Sequence, residues 1–209
     1  MKIALCGYKG KTGSRVYETL LQEGYDVIGI EKNETSLLDV IETVDLVIDF
    51  TSKIVSLKHI LICIDYRKPF IVACTSFTYD ELAYIKSLCN LNKIKGVICY
   101  NFSLPLNYIL NGFNFFNNYF NEFTYYDVHH VSKIDKVSGT TYLFLLKNKR
   151  FKVKSTKTNK NSITYVIQMR SKYDKMILTY QVDDKKAFAL GLLNYLKTKD
   201  DNQIINLLN

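Results

Sequence analysis

The sequence predicts an α/β fold in two parts: a parallel sheet with helices, then a mostly antiparallel sheet with a helix on one face. Three observations predict it. Up to about residue 102, short apolar runs alternate with segments of helical periodicity, as parallel βαβ units with right-handed crossovers require. A glycine-rich stretch, GYKGKTG, joins the first apolar run to the first helix. Beyond residue 102 the period changes, and runs rich in aromatic and β-branched residues dominate.

Taken in order, KIALCGY (2–8) is a short apolar strand. SRVYETLLQEG is helical, with Val16, Leu20 and Leu21 on one face and Gly24 ending it. YDVIGIEK (25–32) is a second strand that ends in an acid, and DLVIDFT (45–51) is a third. SLKHILICIDYRK is helical, and PFIVACTS is a strand. TYDELAYIKSLCN is helical; Thr78 as N-cap with Glu81 three residues on is a capping-box pattern. KGVICYN (95–101) is the last strand of this set. LPLNYILNGFNFFNNYF reads as one long aromatic helix at a domain boundary. EFTYYDVHHVSKI, RFKVKST, SITYVIQMRS and KMILTYQV read as strands, interrupted by the helix TTYLFLLKNK. AFALGLLNYLK (187–197) closes the chain as an amphipathic helix.

Composition narrows the function classes. The chain has 209 residues, and 47% are apolar, enough for a sizeable core. Five cysteines, at 6, 63, 74, 89 and 99, show neither metal-ligand spacing nor a pairing pattern, which suits a reducing compartment and predicts no metal site. The N-terminal apolar run is too short for a signal peptide, and no run reaches the ~18 residues of a membrane span. A soluble, cytoplasmic protein is expected. Of the net charge of +8, seven positive charges fall in KNKRFKVKSTKTNK, residues 147–160, which has no acid. A solvated loop and strand is the simplest reading. Attraction of anionic ligands toward a nearby cleft is a second. Nucleic-acid binding is a third, although the segment has a single aromatic, Phe151, and no recognised motif.

The glycines fall at 7, 10 and 13, a G-x-x-G-x-x-G spacing where the dinucleotide fingerprint is more usually G-x-G-x-x-G. The physics is the same. Glycine permits a tight turn and close backbone approach to pyrophosphate, and the following helix offers N–H groups and a favourable dipole. Glu31 closes the second strand, 18 residues after Gly13, where a carboxylate can bond ribose hydroxyls. Lys32 beside it can take a 2′-phosphate instead, so NADH and NADPH both stand. A ligand-free glycine turn is the bland alternative, and the strand before, helix after and acid beyond favour the dinucleotide site.

The second constellation is VHHVSKIDKVSGTT, residues 128–141. With a strand period of two, His129 and Lys133 share a face and His130 points to the other. A proton donor and a cation facing one space suit chemistry on an anionic or imine substrate. Ser138, Gly139 and Thr140 start a helix whose N–H groups and hydroxyls suit a carboxylate. Alternatively, each histidine bonds neighbouring backbone and Ser138 simply caps the helix. The residues by themselves leave both readings open.

Five segments together resemble the 4-hydroxy-tetrahydrodipicolinate reductase (dihydrodipicolinate reductase) family of diaminopimelate and lysine biosynthesis. They are CGYKGKTG, VIDFTS (47–52), YNFSLPLN (100–107), HHVSKIDKVSGT and DDKKAFALGLL, in the family's order across nearly the whole chain. The His-His-x-x-Lys…Ser-Gly-Thr segment is the specific one. The resemblance implies a Rossmann-type nucleotide domain over 1–102 and 184–209, and an α+β substrate-binding and oligomerisation domain over 103–183. It implies that Gly7, Gly10, Lys11, Thr12 and Gly13 hold the pyrophosphate and that Glu31 and Lys32 read the ribose. Phe50, Thr51, Ala73, Thr75, Asn101 and Phe102 would line the nicotinamide side. His129 would be the proton donor and Lys133 the cation that polarises and holds the substrate. His130, Ser138, Gly139 and Thr140 would grip its carboxylates, which for His130 requires the strand to end or bulge there. The implied reaction is hydride transfer from NADPH or NADH to a cyclic dicarboxylic imine, followed by protonation.

Departures are visible too. Ala73-Cys74-Thr75-Ser76 stands where the family usually has Gly-Thr-Thr-Gly, so crowding of the nicotinamide is expected. Leu104-Pro105-Leu106 replaces a small, glycine-containing stretch, which predicts a stiffer hinge. Val137 stands in place of a proline. The chain is shorter than is usual for the family, mainly around residues 150–175, where a long loop and part of a tetramer-forming sheet would lie; a dimer or a tetramer is expected. Two other functions fit parts of the pattern. One is a non-catalytic NAD(P)-binding regulator descended from the family. The other is a related Rossmann reductase acting on a different imine or a semialdehyde.

Overall fold

The computed structural model describes residues 1–131, 138–159 and 162–208, with the backbone alone at His130 and Asn202. Strands β1 (Lys2–Cys6), β2 (Asp26–Ile30), β3 (Leu46–Asp49), β4 (Phe70–Val72) and β5 (Gly96–Ile98) form one sheet in the order β2-β1-β3-β4-β5. Every pairing is parallel. Helices α1 (Gly13–Gln22), α2 (Leu37–Val40), α3 (Lys53–Asp65) and α4 (Tyr79–Asn92) make the crossovers. Because helices cover both faces, the strands are apolar on both. Ile3 and Leu5 join one buried cluster, Ala4 and Cys6 the other. The chain steps from β1 outward to β2, then back across to β3. The crevice at the carboxyl ends of β1 and β3 is therefore the switch point where ligands of such sheets sit.

The expected capping box is present at α4: the Glu81 N–H donates to Thr78 Oγ1 at 3.2 Å, and the Thr78 N–H donates to the Glu81 carboxylate at 2.7 Å. The expected single helix over 104–120 is instead two, α5 (Leu104–Asn111) and α6 (Phe113–Tyr119), with Gly112 between them at φ −79° and ψ 1°. That bridge-region turn drops Phe113 into an aromatic cluster, its ring 5.8 Å from Phe123, 6.0 Å from Phe144 and 5.2 Å from Phe151. Pro105 falls in the first turn of α5, where its missing N–H breaks no helical bond. It begins a helix rather than stiffening a free hinge.

The second sheet runs β7-β6-β8-β9, from β6 (Glu122–His130), β7 (Lys152–Thr158), β8 (Ile163–Arg170) and β9 (Lys175–Val182). The β6–β8 and β8–β9 pairings are antiparallel, as expected for a mostly antiparallel sheet. The β6–β7 pairing is parallel, because α7 (Gly139–Lys147) forms a crossover between those strands. The basic segment thus includes an edge strand. Exposed Lys152, Lys154 and Lys157 are the charges that keep such an edge from pairing with another chain. Arg150 lies 4.8 Å from the Phe123 ring centre and donates to Asn117 O at 3.2 Å. The last helix, α8 (Lys186–Thr198), returns to the parallel sheet and buries Ala189, Leu192 and Leu193 with Val16 and Leu20 of α1.

Candidate active site

The glycine loop is built as its spacing predicts. Gly7, at φ +77°, occupies the left-handed region. Its N–H donates to Ile30 O at 2.9 Å, and its carbonyl accepts the Gly10 N–H at 3.0 Å. A Cβ on Gly13 would stand 2.1 Å from Gly7 O, so the third glycine lets α1 start directly against the loop. Thr12 forms no side-chain cap, and the first turn of α1 holds no acid. That helix end suits an anion. Lys11 lies in the same loop. Glu31, Lys32 and Thr51 line a separate cavity of about 640 Å³ beyond the end of β2.

A second cavity, of about 180 Å³, lies where the two sheets meet. Thr12, Phe50, Ala73, Thr75, Asn101 and Phe102 line it from the parallel-sheet side, and His129, Gly139 and Thr140 from the other. Nine of the expected residues thus face one space, although they are scattered between positions 12 and 140. Gly139 is needed there: a Cβ would come within 2.4 Å of Thr75 Cγ2 and 3.1 Å of Tyr100 Cβ. Asn101 and Thr140, expected to touch different ligands, also touch each other, with Asn101 Nδ2 donating to Thr140 Oγ1 at 2.8 Å.

His129 is buried, and its Nε2 lies 3.3 Å from the Oδ2 of buried Asp127. The same oxygen accepts from Ser138 Oγ at 2.9 Å and Thr141 Oγ1 at 2.8 Å. Burial acts to raise the Asp127 carboxyl. Hydrogen bonding from His129, then Ser155, Thr141 and Ser138, outweighs it and holds the group well below the ordinary carboxylate range. Asp127 therefore stays charged, orients His129 through Nε2, and leaves Nδ1 as the nitrogen to meet a ligand. Ser138 does not line the 180 Å³ cavity. Its hydroxyl caps α7, accepting the Thr141 N–H at 3.1 Å. Lys133 lies outside the described residues, as does the His130 side chain. The face assignment that separated the two histidines is therefore described for His129 alone.

The sequence reading missed Asp127, although it sits two residues before His129 and so on the same strand face. It also missed Tyr165, Lys185 and Phe188, which line the same cavity. Burial pushes the Tyr165 hydroxyl up to about 12, so it keeps its proton beside His129. Ala73 and Thr75 face the cavity, Cys74 is buried in the core, and Ser76 is exposed. Ser76 has φ +76°, a conformation that favours the glycine the family usually has there.

Among known proteins, the sequence model described as "Dihydrodipicolinate reductase, N-terminus" matches residues 1–102. A 4-hydroxy-tetrahydrodipicolinate reductase from Thermosipho africanus is 26% identical over 205 residues, covering 94% of this chain and 90% of that one. In sequence the chain is similar to the dihydrodipicolinate reductase family. The fold agrees with a solved member, dipicolinate-bound dihydrodipicolinate reductase from Paenisporosarcina sp. TG-14. That structure has a TM-score of 0.77 at 16% identity and covers 94% of this chain and 93% of its own. A dehydrogenase from Thermus thermophilus solved with NAD and UDP-GlcNAcA shares the fold more distantly, with a TM-score of 0.66 at 9% identity over 99% of this chain and 90% of that one. The family's nucleotide-binding Rossmann domain is thus the parallel-sheet half. Among the described residues, no helix is long and apolar enough to cross a membrane.

Proposed function

We propose that this chain is an NAD(P)H-dependent 4-hydroxy-tetrahydrodipicolinate reductase of diaminopimelate and lysine biosynthesis. The observation that carries the reading is the cavity in which Phe50, Ala73, Asn101 and Phe102 face His129 and Thr140. We assign residues 1–102 and 184–209 to the nucleotide domain, supported by the burial of α8 against α1, and residues 103–183 to the substrate domain. The glycine loop and the uncapped start of α1 fit a pyrophosphate. The nicotinamide, when bound, supplies the hydride. His129, with Nε2–H held by Asp127, delivers the Nδ1 proton of its imidazolium form to the substrate and is left as neutral imidazole. Gly139 and Thr140, at the start of α7, bring N–H groups and a hydroxyl to the cavity for a carboxylate, and Ser138 fixes that helix start. Lys133 and His130 are assigned the roles of cation and carboxylate partner. All five cysteines are free, which suits the cytoplasm.

The test is oxidation of NADPH or NADH by folded protein with substrate freshly made by the preceding synthase. Turnover with at least one cofactor is expected. Binding without turnover would select the non-catalytic regulator, and turnover confined to another imine or semialdehyde would select a related reductase.

We also assign self-association to the face of the second sheet opposite α7. There Tyr126 pairs in register with Val166, and Gln168 with Ile177, all incompletely buried. A dimer or tetramer is expected by sedimentation at micromolar concentration, and a monomer there would remove this assignment.

A further inference from the structure

The cavity at the end of β2 contains a side chain that neither the glycine loop nor the His129 site uses. His59, on α3, lines it together with Glu31, Lys32, Glu34 and Lys58. Its Nδ1 lies 2.7 Å from Asp49 Oδ2. Asp49 is only 1% exposed, and its other oxygen accepts both the Thr51 N–H and the Thr51 hydroxyl at 2.6 Å. One buried carboxylate therefore fixes the turn after β3 and the angle of the His59 ring. With Nδ1 engaged, Nε2 is the nitrogen that remains for a ligand in the cavity. Cys6 brings a third donor atom within 4.8 Å of the other two. Burial, and then the Asp49 charge, push its thiol far above its ordinary value.

The charges around this cavity do not balance. Of its two acids, Glu34 is paired with Lys9 and accepts from Tyr8 Oη at 3.1 Å. Glu31 accepts the Lys32 N–H at 3.1 Å. Among the described residues, the Lys32 and Lys58 ammonium groups form no ion pair with a carboxylate. Two lysines and a pre-oriented imidazole thus meet one unneutralised acid in a space large enough for an adenosine phosphate. As the imidazolium, with its Nδ1–H held by Asp49, such a ring donates its Nε2–H to a phosphate at little rotamer cost.

We propose that His59, held by Asp49, is a specificity-determining residue that with Lys32 and Lys58 receives a phosphomonoester, the 2′-phosphate of NADPH. The proposal rests on the nucleotide-binding reading above and deepens it. On this reading α3 contributes to cofactor choice alongside the β2 end, and NADPH is the preferred cofactor despite Glu31.

Equilibrium titrations of NADPH and NADH, without substrate, test it. Wild-type protein is expected to bind NADPH more tightly. In His59→Asn the side-chain amide can still meet Asp49 where Nδ1 did, but nothing replaces Nε2. That variant is expected to lose about tenfold in NADPH affinity, with NADH changed less than about twofold. Lys58→Gln, which leaves Asp49 untouched, should lose NADPH affinity in the same selective way. Equal losses for both nucleotides would make His59 a structural anchor only and overturn the proposal, as would unchanged affinities or a wild-type preference for NADH. Failure of folded wild-type protein to bind either nucleotide would overturn the reductase reading itself, and the specificity with it.

Discussion

Replacing His129 with glutamine is expected to lower kcat by about 10²–10⁴-fold, with nucleotide affinity unchanged. Glutamine can still donate to Asp127 but carries no titrating proton. The loss should therefore appear in turnover and in the pH profile, not in folding. The companion change, Asp127→Asn, separates orientation from chemistry. Asp127 is buried and its Oδ2 accepts from His129, Ser138 and Thr141. An amide there must turn its NH₂ away from three donors, or the histidine must take another tautomer. A smaller fall in kcat, with a displaced pH profile, is expected. Stability should respond as well. The folded-state pKa of Asp127 is depressed, so its stabilising contribution is present above the ordinary carboxylate value near 4 and is lost as pH falls through the more acidic range below it. Denaturant midpoints at neutral and acid pH should show it. The variant should be less stable at pH 7, by about 1–3 kcal/mol, and should lose less on acidification. Full activity in His129→Gln would remove this residue from the proton-donor role. An unchanged pH profile in Asp127→Asn would leave that carboxylate purely structural.

How much of this was legible in the sequence depends on how local each cause is. The capping box at Thr78 and Glu81 was legible because its partners are three residues apart. The glycine loop was legible because its turn is imposed by Gly7, Gly10 and Gly13 themselves. Asp127 could have been found: a strand period of two puts it on the His129 face, and an acid within FTYYDVHH is out of keeping with a buried strand unless it is partnered. The helix break at Gly112 was hidden because helical periodicity continues across it, and only the aromatic cluster around Phe113 forces the turn. The parallel pairing of β6 with β7 was not legible, since it depends on where α7 packs. Nor was the link between His59 and Asp49, which joins a helix to the end of a strand across a crossover. The Ser76 departure is intermediate. Its place in ACTS was visible, but its positive φ and outward direction are tertiary facts that confine the change inside the cavity to the methyl group of Ala73.

The second large effect is structural and is expected at Gly191. A Cβ there would lie 1.7 Å from Phe102 O and 2.8 Å from Phe102 C. Both are backbone atoms, so no side-chain rotation relieves the overlap, and α8 must move off the segment that follows β5. That segment is pinned from several sides. Asn107 Nδ2 donates to Asn101 O at 2.7 Å, the Ser103 N–H donates to Asn101 Oδ1 at 2.8 Å, and Ser103 Oγ donates to Tyr180 Oη at 2.8 Å. Neither partner yields easily, so Gly191→Ala is expected to cost on the order of 3 kcal/mol or more, or roughly 6–12 °C in Tm. Leu190→Ala, at a neighbouring position that is 49% exposed, should stay within about 0.5 kcal/mol. The pair of variants tests whether α8 is seated by this contact rather than by its apolar face alone. If the face alone sufficed, Gly191→Ala would melt close to wild type. The consequence also reaches the site, because Phe102 and Asn101 line the 180 Å³ cavity and Lys185 and Phe188 approach it from the α8 end. Gly191→Ala protein that remains folded at low temperature should therefore bind nucleotide more weakly than Leu190→Ala. Close packing of the returning helix against the segment after β5 then becomes a condition for the cavity, and not merely for the fold around it.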